Sequence, residues 1–187
     1  MNGTTRFAIG CWGVVIAFWI VSAFSVKRTK ARQPLPHRVF YLVLIAVVAA
    51  LLNGSVRIIQ WNRAVLPHRL AIGLLGDFLV LVGLFIAIWA RATLGGNWSS
   101  RVVLKEDHEL IQRGPYRLVR HPIYSGWLLM ILGTAIVVGQ AGGFVALVIC
   151  FGGFWMKLRQ EEALLTEHLA GYSEYMRRTK ALVPFIL

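Results

Sequence analysis

Long apolar runs separated by short basic stretches set the pattern of this chain, and their lengths predict helices that cross a bilayer. A spanning helix needs about 20 mostly apolar residues, with a range of about 17–25. One run extends from Phe7 to Val26. A second starts at Val39, is strongly apolar to Leu52, and weakens through Asn53, Gly54 and Ser55. Leu70 to Ala90 makes a third, interrupted by Asp77. Ile123 to Val138 and Gly142 to Trp155 make a pair joined by Gly139-Gln140-Ala141, and so short a connection requires antiparallel neighbours. The expectation is an all-α, polytopic membrane protein of about five spans, ending in a helical hairpin. Ala23-Phe24-Ser25 loosely resembles a signal-peptide cleavage site, but the long aromatic run before it is expected to be retained as a span.

Two polar segments remain. Residues 91–120 form a long loop in which Gly95-Gly96 and Gly114-Pro115 signal turns. The tail from Lys157 to Arg178 reads as one helix continuing the fifth span, because Leu158, Leu165, Leu169, Tyr172 and Met176 recur at helical spacing. The whole chain, 1–187, reads as one domain: residues 1–69 hold two spans with their loops, and 70–187 the third span, the long loop, the hairpin and the tail.

Composition sharpens the membrane reading. Hydrophobic residues make up 57% and charged ones 15%, against about 45–50% and about 25% in soluble domains. The balance excludes a disordered chain, a collagen and a disulfide scaffold. Lys and Arg number 20 against 8 Asp and Glu, but they lie between apolar runs, which points to topology and anionic headgroups rather than nucleic acid. With the N-terminus outside, the inner side receives the basic residues of the first loop, the long loop and the tail. Only Arg6, Arg57, Arg63 and Arg69 stay outside. The expected arrangement is N-out and C-in, in the cytoplasmic membrane if the source is bacterial. Cys11 and Cys150 lie inside apolar runs and read as small buried hydrophobes. His37, His68 and His168 have no partners at ligand spacing, so no metal site is expected.

The hairpin carries a geometric consequence. It must bring the end of the long loop, at Arg120-His121-Pro122, close to the start of the tail, at Lys157. Arg117, Arg120, His121 and Tyr124 then meet Arg159, Glu161 and Glu162 at the inner face. Pro122 biases His121 away from the helical region and suits a helix start, where free N–H groups can meet an anion. An ordinary loop-to-helix junction with interfacial Arg and Tyr explains the same residues equally well. Glu161-Glu162 can likewise be a solvated helix face, or hydrogen-bond ribose hydroxyls or an ammonium. Asp77 is expected to be protonated or hydrogen-bonded between helices, near Gly73, Gly76 or an interfacial Arg. Gly142, Ala146 and Cys150 form a small-residue stripe suited to close helix packing.

Several stretches resemble a family. His108-Glu109-Leu110-Ile111, Gly114-Pro115-Tyr116-Arg117 and Arg120-His121-Pro122-Ile123-Tyr124-Ser125-Gly126-Trp127 are similar to the cofactor loop of isoprenylcysteine carboxyl methyltransferases and related phospholipid methyltransferases. Glu161-Glu162, Tyr172-Ser173-Glu174-Tyr175 and Val183-Pro184 resemble that family's C-terminal half, and Leu94-Gly95-Gly96-Asn97-Trp98-Ser99 its upstream motif. The resemblance covers roughly residues 90–187. It implies a membrane-embedded S-adenosylmethionine site built from His108, Glu109, Leu110, Ile111, Tyr116, His121, Pro122, Ile123, Tyr124 and Glu161. It also implies substrate binding by Lys157, where relatives can have Arg, with Arg159 able to take over. Because Lys lacks the bidentate fork of Arg, this departure weakens the match to an isoprenylcysteine carboxylate.

The implied activity is methyl transfer to a lipidic or small apolar acceptor reached from the bilayer, an isoprenylcysteine-like carboxylate being the first choice. Lys157 or Arg159 would orient the acceptor, and Glu162 or Tyr124 would serve as base if the acceptor is a thiol or amine that must lose a proton. Alternatives are a non-catalytic membrane scaffold of the same fold and an NADPH-dependent sterol-reductase-like enzyme.

Overall fold

The computed structural model describes residues 3–24, 46–52, 63–98 and 110–187. Among these it is helical, with no strand: α1 (Gly3–Ala23), α2 (46–52), α3 (Leu70–Leu94), α4 (Pro122–Val138), α5 (Ala141–His168) and α6 (Tyr172–Arg178). Helices α1, α3 and α5 are long and apolar enough to cross a membrane, and α4 is a shorter apolar helix. The first predicted span begins four residues early, at Gly3, and the third and fourth predicted spans coincide with α3 and α4 within a few residues. Of the second, only α2 falls among the described residues; there Val48 and Leu51 are buried with Ile131, Ala146 and Cys150.

Helices α3 and α4 are held together by a glycine seam that the sequence reading missed. A Cβ placed on Gly83 would lie 2.6 Å from the Gly126 carbonyl oxygen, and one on Gly126 would lie 2.7 Å from the Gly83 carbonyl oxygen. Gly76 and Gly133 repeat the arrangement two turns away, at 2.7 and 2.5 Å. Hydrocarbon supplies no hydrophobic drive for helix association, so backbones must approach closely for dispersion to hold them. The i, i+7 spacing of both pairs keeps them on one antiparallel contact line. We expect Gly126→Ala to lower stability by about 1–3 kcal/mol through overpacking. Gly152→Ala, where a Cβ meets nothing within 4 Å, is its neutral control. Both free cysteines are buried, so the temperature at which a thiol-reactive dye gains access to them reads the difference.

Helix α1 packs on this pair. Gly73 accommodates Thr4, and Trp12 Nε1 donates to Thr134 Oγ1 at 3.0 Å. Near the other end Trp12 and Trp19 each approach Trp127 with ring centroids 5.5 Å apart. There the buried Arg91 donates to the Ser22 carbonyl at 2.7 Å and the Gly95 carbonyl at 2.8 Å, tying α1 to the end of α3. A cation suits these carbonyls because both belong to helix C-terminal ends. Asp77 is buried in α3, and its Oδ1 has no hydrogen-bond partner among the described residues; the interhelical bond expected for it is not made by that atom.

Gly139 turns the chain from α4 to α5 with a left-handed φ of 69°, which its missing Cβ permits. The reversal is pinned to the segment before α3, since Val65 and Leu66 amides donate to the Gly139 carbonyl and the Ala141 amide to that of Arg63. The small-residue stripe of α5 is buried as expected at Gly142, Ala146 and Cys150. The tail corrects one expectation. It is not one helix over 157–178: α5 stops at His168, and Gly171, with φ 81°, redirects the chain into α6. The bend buries Tyr172 and Tyr175 against the loop, which a straight helix would carry past it.

Candidate functional site

The turn before α4 is built by two opposed constraints. Pro122 occupies the first helical turn, where its missing N–H costs nothing, and it holds His121 outside helical geometry at φ −124° and ψ 57°. The segment after α6 then pairs alongside. Val119 and Lys180 form a parallel bridge, the Arg120 amide donates to the Lys180 carbonyl at 2.8 Å, and the His121 amide donates to that of Ala181 at 2.9 Å. The Arg120 and His121 amides are therefore taken by this pairing. Ser125 Oγ adds a bond to the Leu182 carbonyl at 2.5 Å. Tyr175 closes the other side, its hydroxyl donating to the Tyr116 carbonyl at 2.6 Å. Burial pushes the Tyr175 hydroxyl up to about 12 and that of Tyr172 higher still, which keeps both neutral.

Against this turn lies the part of α5 beyond its apolar stretch, and two carboxylates face it. Glu162 Oε1 is 2.6 Å from Arg120 Nε and 3.2 Å from His121 Nε2, with all three side chains nearly excluded from solvent. Arg120 also donates through Nη1 to the Met176 carbonyl at 3.2 Å and to the Thr179 carbonyl. One guanidinium thus joins the turn, α5 and the C-terminal end of α6. Burial opposes ionisation of Glu162, but the hydrogen bonds and charges of His121 and Arg120 outweigh it and hold the carboxyl below the usual carboxylate range.

Glu161 points to a second group. It accepts from Tyr124 Oη at 2.8 Å, lies 3.8 Å from Lys157 Nζ, and approaches His121 Nδ1 at 3.7 Å. The Tyr124 ring is stacked between His121 (5.5 Å, 12°) and Phe154 (4.8 Å, 13°), with Lys157 Nζ 5.4 Å from its centroid. The imidazole sits between the two carboxylates, hydrogen-bonded to Glu162 through Nε2 and with Glu161 at longer range from Nδ1. Lys157 lies one helical turn from Glu161 on the side of the apolar stretch. The polar cluster therefore grades directly into the aromatic surface of the helices.

The expected adjacency of the His121 turn and the Glu161-Glu162 pair is thus present. Leu110 and Ile111 are half-buried, and Leu110 reaches the α5–α6 corner, where its Cδ2 would lie 3.8 Å from a Cβ on Gly171. Tyr116 and Pro122 are buried, and Ile123 is half-buried. His108 and Glu109 lie outside the described residues. Arg159 is exposed on a different face of α5 from Lys157 and Glu161, away from the cluster it was expected to join. Two residues with large structural roles were missed: Arg120 received no assignment beyond proximity, and Ser125 none. Their signal lay in the Arg-His-Pro-x-x-Ser order around a helix start.

Among the described residues no group of three or more His, Cys, Asp or Glu side chains is placed to hold a metal ion. Residues 74–167 match the sequence profile of the isoprenylcysteine carboxyl methyltransferase (ICMT) family. The chain is 29% identical to the cobalt-zinc-cadmium resistance protein CzcN of Cupriavidus metallidurans, over 98% of this chain and 66% of that protein. It is 31% identical to a probable protein-S-isoprenylcysteine O-methyltransferase of Oryza sativa subsp. indica, over 59% of this chain and 60% of that protein. A match to the protein-S-isoprenylcysteine O-methyltransferase of Saccharomyces cerevisiae, at 32% identity, covers 60% and 48%. Among solved structures the fold is similar to the eukaryotic intramembrane Ras methyltransferase ICMT, with a TM-score of 0.59 and 20% identity over 83% of this chain and 55% of that one. The chain spans between about half and two thirds of the length of these relatives.

Proposed function

The chain belongs to the isoprenylcysteine carboxyl methyltransferase family, and from that premise we propose that it is a membrane methyltransferase that uses S-adenosylmethionine to esterify a carboxylate on a lipidic, isoprenylcysteine-like acceptor. The observation that carries this reading is the Tyr124–Glu161–Lys157 group beside the His121 ring, half-open and set where the polar end of α5 meets its apolar stretch. The donor set suits the cofactor. Glu161 offers carboxylate oxygens for hydroxyls or an ammonium, Tyr124 and His121 hold that carboxylate in place, and Leu110, Ile111 and Ile123 offer apolar surface for an adenine. Tyr116 and Pro122 serve by shaping the wall.

When bound, S-adenosylmethionine supplies a methyl group on a positively charged sulfur, open to in-line displacement by an ionised oxygen. The chain's task is then mostly positioning. Glu161 holds the cofactor side, oriented by Tyr124 and His121. Lys157, nearer the apolar stretch, orients the acceptor carboxylate as a point charge. No residue need take a proton from a carboxylate. That agrees with Glu162, whose ion pair with Arg120 makes it a weak base and a positioning residue. An acceptor with a thiol or amine would need a base that this arrangement does not offer at Glu162. Packing of the apolar helices around the cluster limits water, which favours a step in which opposite charges cancel.

We place the cluster on the cytosolic side. Among the described residues Arg6, Arg63 and Arg69 sit at the end of the bundle opposite His121, and the denser set of Lys and Arg shares the His121 end.

The test is transfer of labelled methyl from S-adenosylmethionine to N-acetyl-S-farnesylcysteine by the purified protein in bilayers. Base-labile label in the acceptor supports the carboxyl ester, and no transfer together with no binding of S-adenosylhomocysteine overturns the reading. Lys157→Ala is expected to raise KM for the acceptor about tenfold while changing that for S-adenosylmethionine less than about twofold, in line with loss of one charge-assisted contact. Equal changes in the two would remove the division of labour between Lys157 and Glu161.

A further inference from the structure

Beyond the site, the last residues carry an apolar surface that the proposed reaction does not use. Phe185 and Ile186 are 89% and 76% exposed, and Val183 and Leu118 are also exposed. Phe185 holds a left-handed φ of 67°, rare for a bulky side chain, which puts its ring at the tip of a tight turn. The turn closes on itself. Amides of Leu182 and Val183 donate to the Leu187 oxygen, those of Ile186 and Leu187 donate to the Val183 carbonyl, and Pro184 has no N–H to satisfy. These four bonds lower the cost of bringing the turn to the hydrocarbon edge below that of an open loop.

Its depth follows from α4. That helix has 17 residues, about 25 Å at 1.5 Å per residue, against a hydrocarbon core of about 30 Å. A span so short holds its first turn near the edge of the core, with the bilayer thinning to meet it. Ser125, in its first turn, is bonded to the Leu182 carbonyl, so the 183–187 segment leaves from the hydrocarbon boundary. Arg117 and Lys180 are exposed on the two strips joined by the Val119–Lys180 bridge, and Arg177 and Arg178, exposed on α6, share the single carboxylate of Glu174 and so keep a net positive charge there. Apolar tip and basic surroundings together match an anionic leaflet.

We propose that the 183–187 segment is a lipid-inserted knuckle. Its Phe185 and Ile186 side chains enter the acyl boundary of the leaflet on the His121 side, and Arg117, Lys180 and the α6 arginines meet the anionic headgroups. Through Ser125 and the paired Arg120–His121 amides it fixes the candidate site at a set depth. The inference does not depend on methyl transfer, so either can fail alone.

A nitroxide at Phe185→Cys, with Cys11→Ala and Cys150→Ala, in phosphatidylcholine–phosphatidylglycerol vesicles tests it by collision with oxygen and with a nickel chelate. The oxygen-to-nickel ratio at 185 is expected to match that of Val148→Cys, on the exposed apolar face of α5, and to exceed that of Arg177→Cys about fivefold. A ratio like that at 177, or low collision with both reagents because a second copy or another protein covers the tip, overturns the proposal. If the cysteine-free background does not fold, the unaltered chain is irradiated with a phospholipid bearing a photoactivatable group mid-acyl chain. Cross-links at 185–186 support the knuckle, and cross-links near Val148 without any at 185–186 overturn it.

Discussion

Replacing Glu161 with alanine is expected to weaken binding of S-adenosylhomocysteine about 100-fold and to leave the protein folded in the membrane. The loss equals about 2.7 kcal/mol, the upper range for a hydrogen bond to a charged group. Glu161 earns the larger figure because it organises its neighbours as well as offering its own oxygens. Without it the Tyr124 hydroxyl loses the acceptor at 2.8 Å, Lys157 loses a carboxylate at 3.8 Å, and His121 Nδ1 loses one 3.7 Å away. Tyr124→Phe keeps the stack on His121 and Phe154 and gives up the single hydrogen bond, so about a tenfold loss is expected. Calorimetric titration of the reconstituted protein measures both. Glu161 makes no contact with the glycine seam of α3 and α4, so the dye-access temperature of the buried cysteines should stay within a degree or two of the parent. Unchanged affinity in Glu161→Ala would remove this residue from the cofactor site and with it the proposed function.

What the sequence revealed follows from the range over which each force acts. Span positions are set by local runs of apolar residues, so α3 and α4 were legible to within a few residues. The His121 turn was legible because Pro122 restricts it locally, and its meeting with Glu161 and Glu162 because a three-residue link leaves α4 and α5 no other arrangement. The glycine seam was not read, because Gly76, Gly83, Gly126 and Gly133 acquire meaning only when two distant helices are set in register. The tail was misread for a related reason. Helical spacing continues through Leu169 and Tyr172, and only the tertiary demand to seat Tyr175 on the Tyr116 carbonyl makes Gly171 a corner. Arg159 was counted by proximity along the chain, but a helix turns by about 100° per residue, and two steps from Lys157 carry it to solvent.

The largest loss of stability is expected from Arg120→Ala, about 3–5 kcal/mol, because it strands a buried carboxylate. In the parent the Arg120 side chain bonds Glu162 and the carbonyls of Met176 and Thr179 at once. Removing it unfastens α6 and the segment that pairs with the turn, and leaves Glu162 with His121 alone. Arg120→Lys should recover only part, since an ammonium cannot serve the forked set of acceptors. The double variant Arg120→Ala with Glu162→Gln should be more stable than Arg120→Ala alone, because the stranded charge is gone. Acid supplies an independent check of the same pair. The folded pKa of Glu162 lies below its ordinary value of 4.5, so its stabilisation is complete above that value and lost as pH falls through the lower, folded one. The stability difference between the parent and Glu162→Gln should therefore shrink toward zero as pH falls below 4.5 and on through the lower, folded value. Arg159→Ala, on the exposed face of α5, should change stability by less than about 0.5 kcal/mol. If Arg120→Ala proves no more harmful than that surface change, or if the Glu162→Gln difference grows in acid, Arg120 and Glu162 are not the clasp that holds the site together.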